Sequence, residues 1–372
     1  SGIEWIGEIA NTHKLVRLKY VAEILDEYRK PVTAQYRNQN ADILYDYYGA
    51  SGIIDKIDGY TIDDHVMLIG EDGANLKLRN LPLMYEVCGK AWINNHAHIL
   101  KPMKNMDFYY LFYALEALDI NNYITGSAHP KLNQENLKEI LIPLPSYEVQ
   151  KKVSSYLDTK CSEIDATVED IQKEITLLEE YKKSVITEAV TKGLNPDVEM
   201  KDSGIEWIGE IPKDWEVHPV YVYFEEGKTK NYRMQEQNLL SLSYGRIIRK
   251  DINTNGGLLP ASFNTYNVVE AGDIIIRPTD LQNDKRSLRT GLVKEQGIIT
   301  SAYIDLRPKD NVNSKYYHYL LHSYDIIKVF YNMGNGVRQG LNFSEFAKLL
   351  LLEPTTIEQQ QIADFLDTKC SE

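Results

Sequence analysis

Ser1-Gly-Ile-Glu-Trp-Ile-Gly-Glu-Ile9 opens the chain, and the same nine residues return letter for letter at positions 203–211, a shift of 202. The seven residues Leu157-Asp-Thr-Lys-Cys-Ser-Glu163 return at positions 366–372, a shift of 209. Identities of this length at matching places indicate that one structural unit occurs twice. The sequence therefore predicts a duplicated framework.

Between the matched ends the two halves differ. Residues 31–90 have no convincing counterpart in residues 232–290. A protein that presents two different binding surfaces on equivalent platforms would have this organisation. The predicted division is a first domain at 1–147, a helical spacer and linker at 148–202, a second domain at 203–356, and the start of a second helix at 357–372.

The segment 148–191 has apolar residues at helical spacing along its whole length. From Ile164 to Leu178 the apolar steps alternate between four and three residues, which is typical of a coiled-coil seam. Gly193 and Pro196 then provide a helix stop. The sequence predicts one long helix between the two domains.

So long an amphipathic helix cannot bury its apolar stripe alone, and it needs a partner helix. We expect that partner to be either the segment that begins near Ile357 or a helix of another chain. The tryptophans of the two identical openings are interpreted in the same way, as docking rather than base-stacking residues. The residues predicted to dock partners are Trp5, Ile171, Ile175, Leu178 and Trp207.

The fold class predicted for the chain is α+β. Short apolar runs at 66–69, 273–277 and 298–304 predict strands, and the segments 107–118 and 314–329 predict helices. The expected architecture is therefore two domains of mixed α/β structure, joined by the long coiled-coil-type helix.

Composition bounds the class of protein. A hydrophobic fraction of 43% and an aromatic fraction of 10% are enough for buried cores. No apolar stretch has the length needed to span a bilayer, and the first residues do not resemble a signal peptide. The three cysteines are far apart, without the spacing of a metal site. We therefore expect a cytoplasmic protein without membrane contact.

The net charge of −13 argues at first sight against a nucleic-acid partner. Residues 1–145, 146–202, 203–355 and 356–372 carry −5, −5, 0 and −3 respectively. Much of the acidity thus lies on helical segments, where it says little about a DNA-binding face elsewhere.

A family resemblance rests on the twin openings and on three further stretches. These are Ile211-Pro-Lys-Asp-Trp-Glu-Val217, Gly336-Val-Arg-Gln-Gly-Leu-Asn342 and Gln359-Gln-Gln-Ile-Ala-Asp-Phe-Leu-Asp367. With them, the whole chain resembles the specificity subunits of type I restriction–modification enzymes. The resemblance implies two target-recognition domains, each reading one half of a split site in double-stranded DNA. It also implies docking of two methyltransferase subunits and of a motor-nuclease restriction subunit.

The chain departs from that family pattern in its second half. The second unit ends at Glu372, so the counterpart of residues 164–202 is not in the sequence. Most of the second long helix would lie in that stretch. Pairing of two long helices within the chain is therefore left open.

No catalytic site is indicated. Adenine methylation needs a glycine motif for its cofactor and an Asn/Asp-Pro-Pro-aromatic motif, and the sequence has neither. Gly227-Lys228-Thr229 lacks the upstream glycine of a phosphate loop, since Val222 stands there. The sequence predicts a non-catalytic subunit without cofactor or metal.

Base edges are read by Arg, Lys, Asn and Gln side chains, and phosphates attract cations. The second domain has two cationic clusters, at 246–250 and 285–289, and a glycine-flanked loop at 334–340. The first domain has the polar loop 36–40, while for 94–98 base reading and structural hydrogen bonding are both open. The predicted DNA-binding residues are Arg37, Asn38, Gln39, His129, Lys131, Arg246, Arg249, Lys250, Lys285, Arg286, Arg289, Arg338 and Gln339.

Two other functions are weighed against DNA recognition. A helical interaction scaffold with vestigial recognition domains would suit the acidity and the shortened end. A fused methyltransferase is weakened by its missing motifs. The salt dependence of duplex binding separates the first of these from a DNA reader, because only phosphate contacts give a steep slope.

Overall fold

The computed structural model describes residues 8–36, 42–252, 262–281, 284, 287–333 and 340–371. The chain divides into two compact units, residues 1–170 and 171–372. The division falls inside one continuous helix, α4 (Tyr147–Lys192), so each part of that helix belongs to one unit.

The first unit contains eight strands among its described residues. The strands are β1 (Lys14–Arg17), β2 (Ala22–Ile24), β3 (Tyr45–Gly49), β4 (Gly52–Ile57), β5 (Ile62–Gly70), β6 (Met84–Ile93), β7 (Ala97–Pro102) and β8 (Leu141–Leu144). Its helices besides α4 are α1 (Asn75–Leu78), α2 (Phe108–Ala117) and α3 (Gln134–Glu139). Short 3-10 turns lie at Leu18–Tyr20, Asp26–Tyr28, Ala34–Tyr36 and Asn121–Tyr123.

A six-stranded sheet in the order β2-β7-β5-β6-β3-β4 forms the centre of this unit. Alternate side chains of β5 enter different cores, as the two-residue period of a strand requires. Met67 and Ile69 pack with Leu111 of α2, whereas Val66 and Leu68 pack into a second core. The sheet is therefore buried on both faces at its centre.

The second unit contains twelve shorter strands among its described residues. They are β9 (Met200–Asp202), β10 (Glu210–Pro212), β11 (Glu216–Pro219), β12 (Phe224–Glu226), β13 (Leu239–Ser243), β14 (Arg246–Lys250), β15 (Asn267–Val269), β16 (Ile274–Ile276), β17 (Thr290–Leu292), β18 (Gly297–Ile299), β19 (Ile304–Pro308) and β20 (Leu350–Glu353). Its helices are α5 (Val220–Tyr223), α6 (Ser314–Ile326), α7 (Phe343–Phe346) and α8 (Thr356–Lys369), with 3-10 turns at Tyr232–Met234 and Val329–Asn332.

Two four-stranded sheets, β12-β19-β16-β17 and β14-β13-β18-β15, replace the single large sheet of the first unit. Ile274 and Ile276 of β16 face the core formed with the helices, whereas Ile275 faces Leu240 and Ile299 of the other sheet. The first sheet thus lies between the helical layer and the second sheet. The interiors of the two units differ in architecture as well as in sequence.

One predicted strand is wrong. The run 298–304 is two strands, β18 and β19, which lie in different sheets and are separated by a turn at 300–303. The apolar residues of the run belong to separate layers, so an apolar stretch does not by itself define one strand.

The long helix is confirmed, at Tyr147–Lys192 against the predicted 148–191. It stops at Gly193, whose φ of 78° is the left-handed conformation of a helix C-terminus. Its last turns bury Ile186 and Val190 in the main core of the second unit. No helix in the part of the chain described by the structure is long and apolar enough to cross a bilayer.

The predicted seam of this helix is not covered by any residue that the structure describes. Its members remain between 45% and 60% exposed, and they are Ile164, Val168, Ile171, Ile175 and Leu178. The segment near Ile357 was one of two expected partners, and that expectation is wrong. Its helix α8 instead buries Ile362 and Leu366 in the main core of the second unit.

Each unit has an equivalent antiparallel ladder just before a helix: β1 pairs with β8 ahead of α4, and β11 pairs with β20 ahead of α8. In the first unit Lys14 lies opposite Leu144, and in the second unit Glu216 lies opposite Glu353. Strands β1 and β11 are related by the shift of 202, and strands β8 and β20 by the shift of 209. In each unit, the ladder therefore pairs one strand from each of the two repeated sequence stretches.

A buried glutamine repeats in the helix that follows each ladder. Gln150 Nε2 donates to the carbonyl oxygen of Pro145 at 3.0 Å, and Gln359 Nε2 donates to that of Pro354 at 3.0 Å. Both glutamines are buried, so each supplies a donor to a carbonyl that water reaches poorly. The duplication extends to individual hydrogen bonds.

Candidate nucleic-acid interface

The hairpin of β13 and β14 in the second unit carries the first predicted cationic cluster. Ser243 pairs with Arg246 across a two-residue turn, Tyr244-Gly245. The φ angles of the turn residues are 47° and 76°, which suits a type I′ turn. Glycine adopts this left-handed conformation freely, whereas the same conformation is strained for a bulky residue such as Tyr244. The Tyr244 side chain is 84% exposed, so burial does not compensate the strain.

The two faces of β14 have different environments because successive side chains point to opposite sides. Ile247 packs against the core that contains Leu240. Arg246, Ile248 and Lys250 share the opposite face and are exposed. A two-stranded ribbon with cations on its outer face has the shape that the major groove of DNA admits.

Arg249, on the inner side of the same strand, is paired within the protein. Its Nε donates to Glu295 Oε1 at 2.5 Å, and a second bond joins Nη2 to the other carboxylate oxygen. The hydrogen bond from Arg249 lowers the pKa of Glu295, and the pKa of Arg249 is raised. The guanidinium is therefore less available to a phosphate than Arg246 or Lys250.

Arg289 is placed differently from the prediction, and we remove it from the DNA-binding set. Its side chain is fully buried, at 0% exposure. The guanidinium donates at 2.5–2.9 Å to the Tyr331 hydroxyl and to the carbonyl oxygens of Thr279, Asp280 and Asp284. A buried arginine whose donors are satisfied in this way holds a loop rather than contacting a duplex.

That loop supports the tip of the hairpin. A Cβ atom on Gly245 would lie 3.1 Å from Leu288 Cβ, so the turn and the loop are in close contact. The backbone N–H of Arg289 donates to Asp325, whose pKa is raised by burial. Residues 287–289, the described part of the second cationic cluster, thus lie beside the turn of the hairpin.

In the first unit the predicted residues His129 and Lys131 lie in the loop after Thr125. His129 is exposed. The Nζ of Lys131 lies 3.0 Å from Glu71 Oε1, so this cation is partly neutralised. Burial alone would raise the pKa of Glu71, but hydrogen bonds from Arg29 and Lys131 lower it.

The open choice for residues 94–98 is decided for His98, which is structural. Its Nδ1 lies 2.7 Å from Asp26 Oδ2 and its Nε2 lies 2.8 Å from the carbonyl oxygen of Leu132, with the ring buried. Burial raises the pKa of Asp26, but contacts with His98 and Arg29 outweigh it and leave that pKa lowered. His98 thus links strand β7 to Asp26 and to the backbone at Leu132.

Several predicted residues lie outside the described residues, and they are Trp5, Arg37, Asn38, Gln39, Lys285, Arg286, Arg338 and Gln339. Trp207 is described and is 45% exposed, with its ring edge-on to Tyr324 at 6.4 Å between centroids. Its docking role stays a prediction.

Sequence reasoning missed Tyr244. The signal was present, because a two-residue Tyr-Gly turn between β-rich runs is consistent with a tight hairpin. Residues 246–250 form a strand as well as a cationic cluster. Because strand residues alternate between two faces, Arg246 and Arg249 point to opposite sides.

Comparison with known proteins places this arrangement in a class. Residues 11–177 match the family model of the type I restriction modification DNA specificity domain. A putative type I restriction enzyme specificity subunit of Haemophilus influenzae is 33% identical over 141 residues, 38% of this chain and 35% of that relative. The type I restriction enzyme MjaVIII specificity subunit of Methanocaldococcus jannaschii is 30% identical over 203 residues, 50% of this chain and 45% of that relative. The chain spans less than half the length of these curated relatives.

Two solved structures share the fold. The HsdS subunit from Thermoanaerobacter tengcongensis matches with a TM-score of 0.52 and 13% identity, over 98% of this chain and 90% of that one. A chain from a structure of type I R-M complex assembly matches with a TM-score of 0.59 and 14% identity, over 98% and 91%. The chain thus resembles type I restriction–modification specificity subunits in its residues 11–177 and in the curated relatives that it matches, and it shares the fold of these two solved structures.

Replacing Arg289 by Met should destabilise the second unit by about 3 kcal/mol or more, because the buried carbonyl oxygens of Thr279, Asp280 and Asp284 lose the guanidinium that donates to them. Hydrogen exchange of amides 171–372, combined with urea unfolding, measures the loss. Arg249→Met is the matched control, since that side chain is exposed, and it should change stability little. Equal stability of the two variants would contradict the structural role of Arg289.

Replacing Tyr244 by Gly should leave the free energy of unfolding unchanged or raise it by up to about 1 kcal/mol, because glycine relieves the left-handed strain. Gly245→Ala should have the opposite effect, since its Cβ would press on Leu288 at a positive φ. Urea unfolding of both variants measures the difference. A clear loss of stability in Tyr244→Gly would show that the ring stabilises the turn.

Proposed function

We propose that this chain recognises a bipartite site in double-stranded DNA, with each unit reading one half. The observation that carries the proposal is the pairing of equal frameworks with unequal interiors. The ladders and buried glutamines repeat, whereas one six-stranded sheet stands where the other unit has two four-stranded sheets. Equivalent platforms with different readers suit a site whose halves differ in sequence.

In the second unit the proposed reading surface is the outer face of the β13–β14 hairpin. Arg246 and Lys250 supply exposed cations on one face, and Tyr244 projects at the tip. Cations four residues apart on one face of a strand can follow a phosphate backbone, while the tip reaches base edges or stacks on them. The buried guanidinium of Arg289 acts as a positioning group for this tip.

We also propose that the chain has no catalytic activity of its own and acts through partners. The partners are two methyltransferase subunits and the restriction subunit. The seam of α4 is a suitable helix-docking face, because five apolar side chains at coiled-coil spacing remain about half exposed. Such a stripe on an otherwise polar helix is typical of a surface that a partner covers.

The double variant Arg246→Ala/Lys250→Ala should weaken duplex binding. It should also reduce the slope of log affinity against log salt concentration by about two, because each lost phosphate contact lowers that slope by about one. Any relaxed base preference should be confined to one half-site. Binding measured from low to moderate salt, and methylation profiled by the assembled complex over a randomised bipartite library, test both points.

Arg249→Ala is the matched control for this experiment, because its guanidinium is already held by Glu295, and it should change the slope less. Tyr244→Gly should reduce affinity without loss of fold. If wild type binds duplex without salt dependence, the scaffold function is favoured instead. Relaxation in both half-sites would place the reading surface elsewhere.

The double variant Ile171→Asp/Leu178→Asp should leave the chain folded but abolish binding to the methyltransferase subunit. Both side chains are at least half exposed in the chain itself, so charge costs little there, whereas in a covered interface it would be buried unpaired. Circular dichroism and co-purification with the methyltransferase subunit give the two readouts.

The control for the seam is Gln172→Asp/Thr176→Asp, which adds the same charge to exposed positions of the same helix outside the seam. It should bind the methyltransferase subunit as wild type does. If both double variants bind normally, the seam is not the docking face.

A further inference from the structure

Three potential metal ligands meet across the ladder that closes the second unit. His218 Nε2 lies 2.9 Å from Glu216 Oε2 and 3.3 Å from Glu353 Oε2. One ligand atom from each residue lies within 4.8 Å of the others. Glu216 and His218 are two residues apart on β11 and so point to the same face, and Glu353 lies on the paired strand β20.

The two glutamates are direct cross-strand partners in this ladder. Like charges placed opposite each other destabilise a strand pair unless a positive group lies between them. A divalent cation supplies two positive charges where the two carboxylates meet. The charge arrangement therefore favours a cation at this place.

The geometry also suits an ion. Ligand atoms about 2.9–3.4 Å apart are what neighbouring positions around an ion with bonds of about 2.1 Å require. The three side chains are partly exposed, at 70%, 38% and 35%, so water can complete the coordination.

The first unit provides an internal comparison, because the ladder is the same and the ligands are absent. Lys14, Val16 and Leu144 stand at the positions of Glu216, His218 and Glu353 in the repeat. The framework thus closes without these side chains. Their presence in one copy alone points to a role that the fold itself does not require.

We propose that Glu216, His218 and Glu353 bind a divalent transition-metal ion of the zinc class. An imidazole with two carboxylates suits Zn²⁺ better than Mg²⁺, which prefers an all-oxygen shell. The bound ion is held by His218 Nε2 and by a carboxylate oxygen from each strand, and so links β11 to β20. It therefore stabilises the second unit and leaves the first unit unaffected.

The test is Zn²⁺ titration calorimetry on the full, untagged chain at about pH 8, where an ordinary imidazole is neutral. Wild type should bind one Zn²⁺ at this site and show a raised Tm. His218→Val, which copies the first unit, should weaken that binding at least tenfold and remove the Tm shift. Glu353→Gln, a nearly isosteric change, should weaken binding as well, and it keeps the test valid if His218→Val folds poorly.

His65→Gln is the matched control, because His65 contacts the single carboxylate of Glu86 at 2.7 Å, and it should bind Zn²⁺ as wild type does. Mg²⁺ is the matched ion and should not compete. Three results would overturn the proposal: unchanged Zn²⁺ affinity in both site variants, an equal loss in His65→Gln, or equal binding of Mg²⁺, which would mean a general acidic patch. Co²⁺ absorption bands that vanish with His218→Val would support it further.

Discussion

The antiparallel ladder that each unit forms just ahead of a helix, α4 in the first and α8 in the second, is the constraint on which the rest depends. It brings together segments from opposite ends of a unit, β1 with β8 and β11 with β20. Closing so long a loop costs conformational entropy, which the buried cores on both sides offset. Gln150 and Gln359 then tie the start of each following helix to the proline carbonyl beside the ladder. The same set of contacts therefore closes the ladder and positions the following helix, and it occurs once in each unit.

Because the closure lies at the ends of a unit, the interior between them is free to change. The first unit fills it with one sheet buried on both faces, and the second with two smaller sheets. Neither arrangement alters the ladder or the glutamine bond. This separation of framework from interior gives a physical reason why the interiors of the two units can differ without loss of the fold. The ladder strands keep their pairing but also tolerate different side chains, since Glu216, His218 and Glu353 stand where the first unit has Lys14, Val16 and Leu144.

The cationic side chains of the second unit lie in different environments. The cations of β14 are of two kinds, since Arg249 is bound to Glu295 whereas Arg246 and Lys250 share an exposed outer face. Arg289 is fully buried and uses its charge to organise the loop against Gly245. A net charge of −13 is thus compatible with a cationic hairpin, because fields of exposed charges are screened within about 10 Å at ordinary salt.

The sequence by itself determined the duplication, the α+β class and the long helix at Tyr147–Lys192, because identity and helical periodicity are local properties of the chain. It also placed several strands and helices, but it merged β18 and β19, whose separation depends on which sheet each one joins. Only the tertiary structure decided that Arg289 is buried and that the helix seam stays uncovered by α8. The meeting of glutamates from β11 and β20 was likewise invisible in the sequence, whereas the Tyr244-Gly245 turn had a local signal that became a hairpin only through the pairing of β13 with β14. The physical reason is the same throughout: exposure and charge pairing arise from contacts between segments that are distant along the chain, and spacing in one segment does not encode them.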